Sequence, residues 1–348
     1  MIIPERADYY RGMGRKEIGI SNFHEHETMP GSPIGKRTGH HFMHPSQYIR
    51  NTWQLIGRGM KYIMYFRWTI LDSKFERGYF LKKKDGMYAS PHLLALEENN
   101  LFLSKYGHLF YEAEVPKRKI AILDPQLSYL QTFWENNSPD LKFCSHPAQP
   151  DVFRENIGMH RLLTKMNYVT DFIPEEYIRE GVLREYKVLI LAGTWYLSSD
   201  VVKIIEKWLK EGGFLIAVGD KTGKFDEFGN EVNVMEKFSK IGDNRVLWVR
   251  KGYPTQLGYG WSPKFSSGGV TREKRILDFL SSVVGIEKEV SFEPAGIEES
   301  IDVEILEHPE YRLYILINRQ KDIKVGLPMF KVRIKAEKNY KNIFVVSP

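Results

Sequence analysis

An uninterrupted run of apolar and aromatic residues stands out early in the chain, at residues 61–68. The run reads KYIMYFRW and contains no Gly or Pro, which is typical of a buried strand and favours a parallel one. Residues 45–59, just before it, have apolar positions at helical spacing and end in a Gly, which predicts a helix. A second apparent strand, 17–22, leads into His24-Glu25-His26-Glu27. Helix, short turn and strand form half of an αβ unit, so both strand ends should open on the same face of the sheet.

The middle of the chain alternates between short buried strands and amphipathic helices. Strands are predicted at 119–123, 169–173, 186–192 and 214–218, and helices at 157–166, 198–212 and 271–284. This alternation predicts a parallel sheet with right-handed crossovers, that is, a doubly wound, flavodoxin-like domain.

The last sixty residues change character, because short strands follow one another with turn signals between them. These strands are predicted at 303–306, 311–317, 323–327, 330–334 and 343–346. The predicted fold class is therefore α/β with three parts. Residues 1–112 form the last part of a (β/α)8 barrel, with a loop from 69 to 86 and a helix from 90 to 106. Residues 113–286 form the doubly wound domain, and residues 287–348 a small antiparallel β domain.

Composition and charge exclude several classes of protein. Hydrophobic residues make up 42% of the 348 residues, which indicates a globular chain. The net charge of +6 comes from scattered Lys and Arg, which favours a solvated surface over a nucleic-acid site. The single cysteine, Cys144, rules out an intrachain disulfide, and no apolar run approaches the roughly 20 residues of a membrane span. A cytoplasmic protein is the expectation, because the N-terminal residues lack a signal-peptide core, no membrane span is predicted and one cysteine suits a reducing compartment. No cofactor is expected, because Gly212, Gly213 and Gly219 do not form a phosphate-binding fingerprint.

Polar residues at the two predicted strand ends are the candidates for chemistry. Glu27 follows one strand and precedes a Gly/Pro loop, where a carboxylate can serve as a glycosidase nucleophile. Arg67 and Trp68 end the other strand, and they suit the orientation of a carboxylate and stacking on a sugar face. Glu76 follows in a loop and could bind sugar hydroxyls. The plainer alternatives are a surface carboxylate, a core Trp with a structural ion pair, and a solvated charge.

Two other constellations are weaker. Five histidines, at positions 24, 26, 40, 41 and 44, match no metal-ligand spacing, so ordinary loop histidines and no metal are predicted. The strand-to-helix turn 192–197 could carry a nucleophile in an amidotransferase-like enzyme, but it contains neither Cys nor His. Cys144 lies next to His146 only in sequence, which is weak evidence for a catalytic dyad.

The order of these parts resembles the C-terminal half of the family 42 β-galactosidases among the glycoside hydrolases. The stretches that carry the resemblance are HETMPGSP (26–33), YFRWTILDSKFERGYF (65–80), a KDG (84–86), the segment 186–218 and the segment 311–327. The resemblance implies a barrel end, an amidotransferase-like trimerisation domain and a final β domain. It also implies a homo-oligomer, a trimer in that family.

The resemblance also implies roles for individual residues. Glu27 matches the retaining nucleophile, and Trp68 and Glu76 match residues of the sugar pocket. The family has a His three residues after the Glu that Glu76 matches. This chain has Tyr79 at that position, so its selectivity for galactose stays open. The family's acid/base Glu follows an Asn on an earlier barrel strand. The only Asn-Glu pair of this sequence, Asn230-Glu231, lies in the doubly wound segment and cannot take that role.

Retaining hydrolysis requires two carboxyl groups about 5 Å apart, and this sequence offers one of them. The first hypothesis is a β-galactosidase-like subunit that acts on a β-galactoside or a related sugar, with a partner chain that carries the first half of the barrel and supplies the acid. The alternative is a non-catalytic remnant kept for oligomerisation or carbohydrate binding. The sequence leaves open whether the chain is an enzyme.

Overall fold

The structure is a computed structural model that describes residues 7–9, 11, 18–24, 26–27, 41–42, 45–66, 80–83, 85–136, 151–250, 267–294, 296–319, 330–335 and 342–345. The chain forms two compact units. One comprises Met1–Pro116 together with Glu289–Pro348, and the other Lys117–Lys288. The division into three domains stays a prediction, because packing into a unit does not tell which segments fold by themselves.

The first unit begins with a parallel strand pair and two helices. Its elements are β1 (Ile18–His24), β2 (His26–Glu27), β3 (His41–Phe42), α1 (Pro45–Gly57), β4 (Met60–Phe66), β5 (Phe80–Lys83), β6 (Gly86–Ala89) and α2 (Pro91–Glu112). The helix predicted at 45–59 and the strand predicted at 61–68 are confirmed over the described residues, and β1 and β4 pair in parallel. The expectation that this strand is buried is wrong for Tyr62 and Met64, which are 58% and 60% exposed because no described element covers that side of β4. The expectation of a loop over 69–86 is wrong at its end, where β5 starts an antiparallel hairpin with β6. Three consecutive lysines hid the alternation of this short strand.

Helix α2 starts where its sequence predicts. The Ser90 hydroxyl accepts a hydrogen bond from the Leu93 amide at 3.2 Å, and Pro91 occupies the first helical position. At the other end, the Lys61 ammonium donates to the carbonyls of Tyr111 and Ala113, the latter at 2.7 Å. A cation at the carboxyl terminus of a helix satisfies carbonyls that have no partner within the helix. Helix α2 therefore extends to Glu112, six residues beyond the predicted end.

Helix α1 is the packing centre of the first unit. One side of it packs Tyr48 and Leu55 against Met60 of β4 and Leu96 of α2. The adjacent side packs a second cluster with residues of α2 and of the C-terminal strands, centred on Trp53, Ile56 and Ile317. The Trp53 indole also donates a buried hydrogen bond of 2.9 Å to the Asn99 side chain. The amphipathic pattern of residues 45–57 thus joins three parts of the sequence around one helix.

The second unit is a doubly wound α/β domain. Its elements are β7 (Ile120–Leu123), α3 (Gln126–Asn136), α4 (Asp151–Lys165), β8 (Thr170–Ile173), α5 (Glu175–Arg179), β9 (Val188–Ala192), α6 (Ser199–Lys210), β10 (Phe214–Val218), α7 (Val234–Gly242), β11 (Val246–Val249) and α8 (Ser267–Asp278). The five strands are all parallel in the order β8-β7-β9-β10-β11, which is the flavodoxin-like order. The predicted parallel sheet is confirmed, and β11 is a fifth strand that the sequence reading missed.

Both faces of this sheet are covered. On one face, alternate residues such as Leu123, Leu191 and Leu215 pack against α5, α6 and α7 in one apolar cluster. The other alternate residues, including Ile122 and Ile190, are equally buried. Strands buried on both faces appear in sequence as continuous apolar runs, because every side chain faces a helix layer.

The C-terminal strands form two antiparallel pairs within the first unit. They are β12 (Val290–Glu293), β13 (Ile301–Glu307), β14 (Arg312–Asn318) and β15 (Lys331–Ile334), with β12 paired to β15 and β13 to β14. Of the remaining predicted strands, 323–327 lies outside the described residues. The prediction of a strand at 343–346 is wrong over the described residues 342–345, none of which belongs to a strand. The predicted α/β class, with an antiparallel β region at its end, is confirmed.

A buried network of charged side chains connects the start of the chain and the turn between α1 and β4 to the C-terminal strand β13. The Arg58 guanidinium, at the start of β4, pairs with Asp8 and, at 2.7 Å, with Glu304 of β13. Both partner side chains are at most 1% exposed. Burial by itself would lower the pKa of Arg58, but the charges of Asp8, Glu304 and Asp302 outweigh it and hold the pKa above its usual value. The guanidinium therefore stays charged inside the protein.

The approach of α1 to β13 is close at this point. A Cβ atom on Gly57 would lie 2.4 Å from the Cβ of Glu304, so only glycine fits there. Next to it, the Gln54 amide donates to Asp302, whose other carboxylate oxygen lies 3.2 Å from Arg319. Asp302 and Glu304 are thus matched by Gln54 of α1, by Arg58 directly after that helix, and by Arg319.

Replacing Arg58 by Met should destabilise the first unit by about 3–5 kcal/mol, because it leaves the Asp8 and Glu304 carboxylates buried without their cation. Native-state hydrogen exchange of the α1 amides measures the loss, and the α6 amides of the second unit report whether the effect is local. Arg333→Met is the matched control, since the Arg333 side chain is 70% exposed and its pair with Glu293 should contribute no more than about 1 kcal/mol. Equal losses for the two variants would refute a central role for Arg58.

Candidate active site

The carboxyl ends of β1 and β4 lie side by side. Their parallel register sets His24 opposite Phe66, the last residues of the two strands. The segments that leave this edge contain Glu27 on one side and Arg67-Trp68 on the other, since Glu27 follows His24 by three residues and Arg67 directly follows Phe66. The sequence prediction that both strand ends open at the same edge is confirmed for the backbone.

Of the predicted site residues, only Glu27 lies among the residues that the structure describes. Glu27 belongs to β2, where its backbone pairs with His41 of β3. Arg67, Trp68, Glu76 and Tyr79 lie outside the described residues. Their roles, and that of the Glu27 side chain, stay predictions.

The carboxyl end of β4 is held in place by α1. The Tyr65 hydroxyl is hydrogen-bonded to that of Thr52 at 3.1 Å, and the Tyr65 ring lies 5.3 Å from that of Tyr48. Burial raises the pKa of the Tyr65 hydroxyl, and the hydrogen bond with Thr52 offsets part of that effect. These contacts fix the backbone two residues before Arg67. The sequence contained a signal for them, since Tyr48 and Thr52 lie one helical turn apart on α1.

The predicted absence of a metal site stays a prediction. His26 and His41 belong to the short paired strands β2 and β3, while His40 and His44 lie outside the described residues. In the part of the chain that the structure describes, no group of three or more His, Cys, Asp or Glu side chains is arranged to hold a metal ion. Within those same residues, none of the helices is both long and apolar enough to cross a membrane.

The second unit contains the crevice at which flavodoxin-like sheets bind ligands, between the carboxyl ends of β7 and β9. Here the Asn156 side chain of α4 fills it, and its amide donates to the carbonyls of Leu123 at 2.9 Å and Ala192 at 3.2 Å. The following turn packs tightly against α4, because a Cβ atom on Gly193 would lie 2.1 Å from the Val152 carbonyl oxygen. The sequence reading missed this role of Asn156, a polar residue buried in an amphipathic helix.

The strand-to-helix turn after β9 offers no exposed nucleophile among its described residues. Thr194, which directly follows Gly193, is fully buried. A nucleophile at such a turn must face the substrate, with a histidine in reach. Cys144 lies outside the described residues. Nothing that the structure describes in this unit therefore favours amidotransferase chemistry.

Comparison with known proteins finds relatives through the fold only. No family model and no curated protein matches the sequence. Among solved structures, Gan42B, a family 42 β-galactosidase from G. stearothermophilus, matches 92% of this chain with a TM-score of 0.65 and 12% identity. A β-galactosidase from the psychrophilic Marinomonas ef1 matches 88% with a TM-score of 0.57 and 14% identity. A family 42 exo-carrageenase from Bacteroides ovatus matches 87% with a TM-score of 0.51 and 14% identity.

The chain has the fold of part of a family 42 β-galactosidase. It spans 51% of the length of Gan42B and 52% of that of the Marinomonas enzyme. At identities of 12–14%, this similarity establishes the fold of this chain and not its activity.

The two ends of a strand contribute differently in (β/α)8 barrels. Catalytic side chains of (β/α)8 barrels come from the carboxyl ends of the strands, whereas the amino ends contribute to stability. Arg58 and its buried carboxylates lie beside the amino end of β4, and the strand from Met60 to Phe66 is roughly 20 Å long. Asp302 and Glu304 are therefore structural, although they are a close pair of carboxylates in sequence.

Replacing Tyr65 by Phe should lower the free energy of unfolding by about 1 kcal/mol at neutral pH, because Thr52 loses its side-chain partner. The wild-type protein should also lose stability as the pH rises from 10.0, the ordinary tyrosine pKa, through the higher pKa of folded Tyr65. Below that range the stabilisation is complete. Urea unfolding at neutral and alkaline pH tests both effects, and the variant should lose part of the alkaline dependence.

Tyr111→Phe is the matched control, since this tyrosine of α2 is half exposed. It should change the free energy of unfolding by no more than about 0.5 kcal/mol at neutral pH. If Tyr65→Phe behaves like Tyr111→Phe, the carboxyl end of β4 is not held by the Thr52 contact.

Proposed function

We propose that this chain is one component of a retaining β-glycosidase of the β-galactosidase type. Its substrate is a β-galactoside or a related sugar, and Glu27 is the nucleophile. One observation carries the proposal: the ends of β1 and β4 meet in register, in a fold that matches family 42 enzymes over about nine-tenths of the chain. The segments that contain Glu27 and Arg67-Trp68 start from that shared edge.

The proposed chemistry needs two carboxyl groups with different roles. The Glu27 carboxylate attacks the anomeric carbon and forms a covalent glycosyl-enzyme, while an acid protonates the departing glycosidic oxygen. The same acid, now a base, then removes a proton from water, which releases the sugar and restores Glu27. The anomeric configuration is retained because two inversions follow one another.

The proposed second carboxyl group comes from a partner chain. Asp302 and Glu304 cannot provide it, since their carboxylates are buried and paired with arginines. Glu231 belongs to the second unit, where its carboxylate accepts a hydrogen bond from Asn233. A partner with the first half of a barrel would bring a carboxylic acid on an earlier strand to the same carboxyl edge. A homo-oligomer of such pairs, in a cytoplasmic setting, completes the proposal.

The proposed sugar pocket uses the residues that follow β4. Trp68 would stack on the apolar face of the sugar ring, and Arg67 and Glu76 would bind its hydroxyls. Tyr79 would stand where a histidine is expected for galactose. Comparing the hydrolysis rates of a panel of nitrophenyl β-glycosides, including the galactoside, would therefore show which sugar the site prefers.

Replacing Glu27 by Gln in the complex with its partner should reduce hydrolysis of the best nitrophenyl β-glycoside on the order of 10³-fold or more, as expected for loss of a nucleophile. Glu97→Gln, at an exposed position on α2, is the matched control and should leave the rate unchanged. Proton NMR of the wild-type reaction should show the β-anomer of the sugar before the α-anomer. A partner expressed from the neighbouring gene provides the complex.

Each outcome separates the two candidate functions. A folded wild-type complex without activity on any glycoside of the panel would refute the enzyme and favour the non-catalytic remnant. In that case Glu27→Gln should leave sugar binding nearly unchanged. An active complex in which Glu27→Gln keeps its rate would refute the nucleophile.

A further inference from the structure

One face of the parallel pair β1–β4 has no covering layer among the described residues. Side chains alternate along β4, so Ile63 and Tyr65 pack toward α1 and the core. Tyr62 and Met64 point to the other face, where they are 58% and 60% exposed. The Tyr62 ring lies over β1, since a Cβ atom on Gly19 would lie 2.3 Å from it. The face therefore presents a large aromatic and a large aliphatic side chain to solvent.

This exposure is unusual for a parallel sheet. Parallel strands are almost always covered on both faces, because their crossover connections place a layer on each side or a barrel closes around them. Within the described residues, β1 and β4 pair only with each other, and a two-stranded parallel sheet is marginal in water. The outer edges of the pair also present backbone groups without a ladder partner in that part of the chain.

A small molecule could cover the Tyr62–Met64 face but not the strand edges. Further parallel strands would cover both at once, because they continue the backbone ladder and bring their own apolar side chains. The share of the matched proteins that this chain spans also favours further strands over a small molecule. The chain matches about half of Gan42B and half of the Marinomonas enzyme, so the other half of each fold has no counterpart in this sequence.

We infer that the face formed by Tyr62 and Met64 is the docking surface for a separate polypeptide that carries further parallel strands of the barrel. The inference rests on the proposed function, in which that polypeptide also brings the acid. A second copy of this chain is a poorer occupant, since it would present the same β1–β4 pair again and duplicate one part of a barrel.

Site-specific crosslinking tests the surface directly. The photoreactive amino acid p-benzoylphenylalanine replaces Tyr62 in one variant and Tyr111 of α2, which is 53% exposed, in the control. Both are expressed in the native cells, irradiated and analysed by mass spectrometry. Position 62 should crosslink to a polypeptide whose sequence contains barrel strands, and position 111 should not. A crosslink from 62 to a second copy, or no crosslink from 62, would overturn the inference.

Affinity measurements with the crosslinked polypeptide, expressed and purified separately, give the second test. Met64→Asp should weaken binding by about 10-fold or more, because a carboxylate would be buried among apolar side chains without a partner. Leu101→Asp, at a position of α2 that is 67% exposed, is the control and should bind as the wild type does. Circular dichroism confirms that both variants are folded. Unchanged binding of Met64→Asp would refute the docking surface.

These outcomes are independent of the catalytic proposal. A complex that depends on Met64 but hydrolyses no glycoside would retain the surface and refute the enzyme. An active complex that tolerates Met64→Asp would retain the enzyme and refute the surface.

Discussion

A guanidinium group in the interior has to keep its partners, and Arg58 is such a group. Its charge holds Asp8, at the start of the chain, and Glu304, in a C-terminal strand, around the end of α1. Removing a charge from water is costly, so each member of the network is stable in the interior only while the others are present. The N-terminal helix and strand pair and the last strands are therefore coupled electrostatically, although almost 250 residues separate them.

The two ends of β4 have different surroundings: a stabilising charge network borders its amino end, and the candidate site residues follow its carboxyl end. The amino end of β4 meets the Arg58 network, and its carboxyl end is held by the contact between Tyr65 and Thr52. The segments that contain Glu27 and Arg67 start at the carboxyl end. A rigid support at one end lets the other end present functional side chains from loops, as in barrels generally.

In the second unit, a polar side chain occupies the position at which flavodoxin-like sheets bind ligands. A flavodoxin-like sheet has a crevice where its strand order reverses, and Asn156 fills that crevice by donating to two strand carbonyls. The side chain satisfies backbone groups that a ligand or water would otherwise meet. The described part of the second unit therefore gives no support to ligand chemistry at this crevice.

Local pattern determined much of this protein. The apolar run at 61–68, the helix before it and the continuous apolar strands of the second unit were predictable. In the second unit, burial on both faces fixes side-chain type at every position. Three consecutive lysines hid the hairpin β5–β6, and the four-residue strand β11 was missed although it is a short apolar run. Only the tertiary structure decided that Asp302 and Glu304 are structural, that Asn156 closes a crevice, and that Tyr62 and Met64 face solvent. Those properties depend on partners distant in sequence, and no local pattern encodes which residues meet.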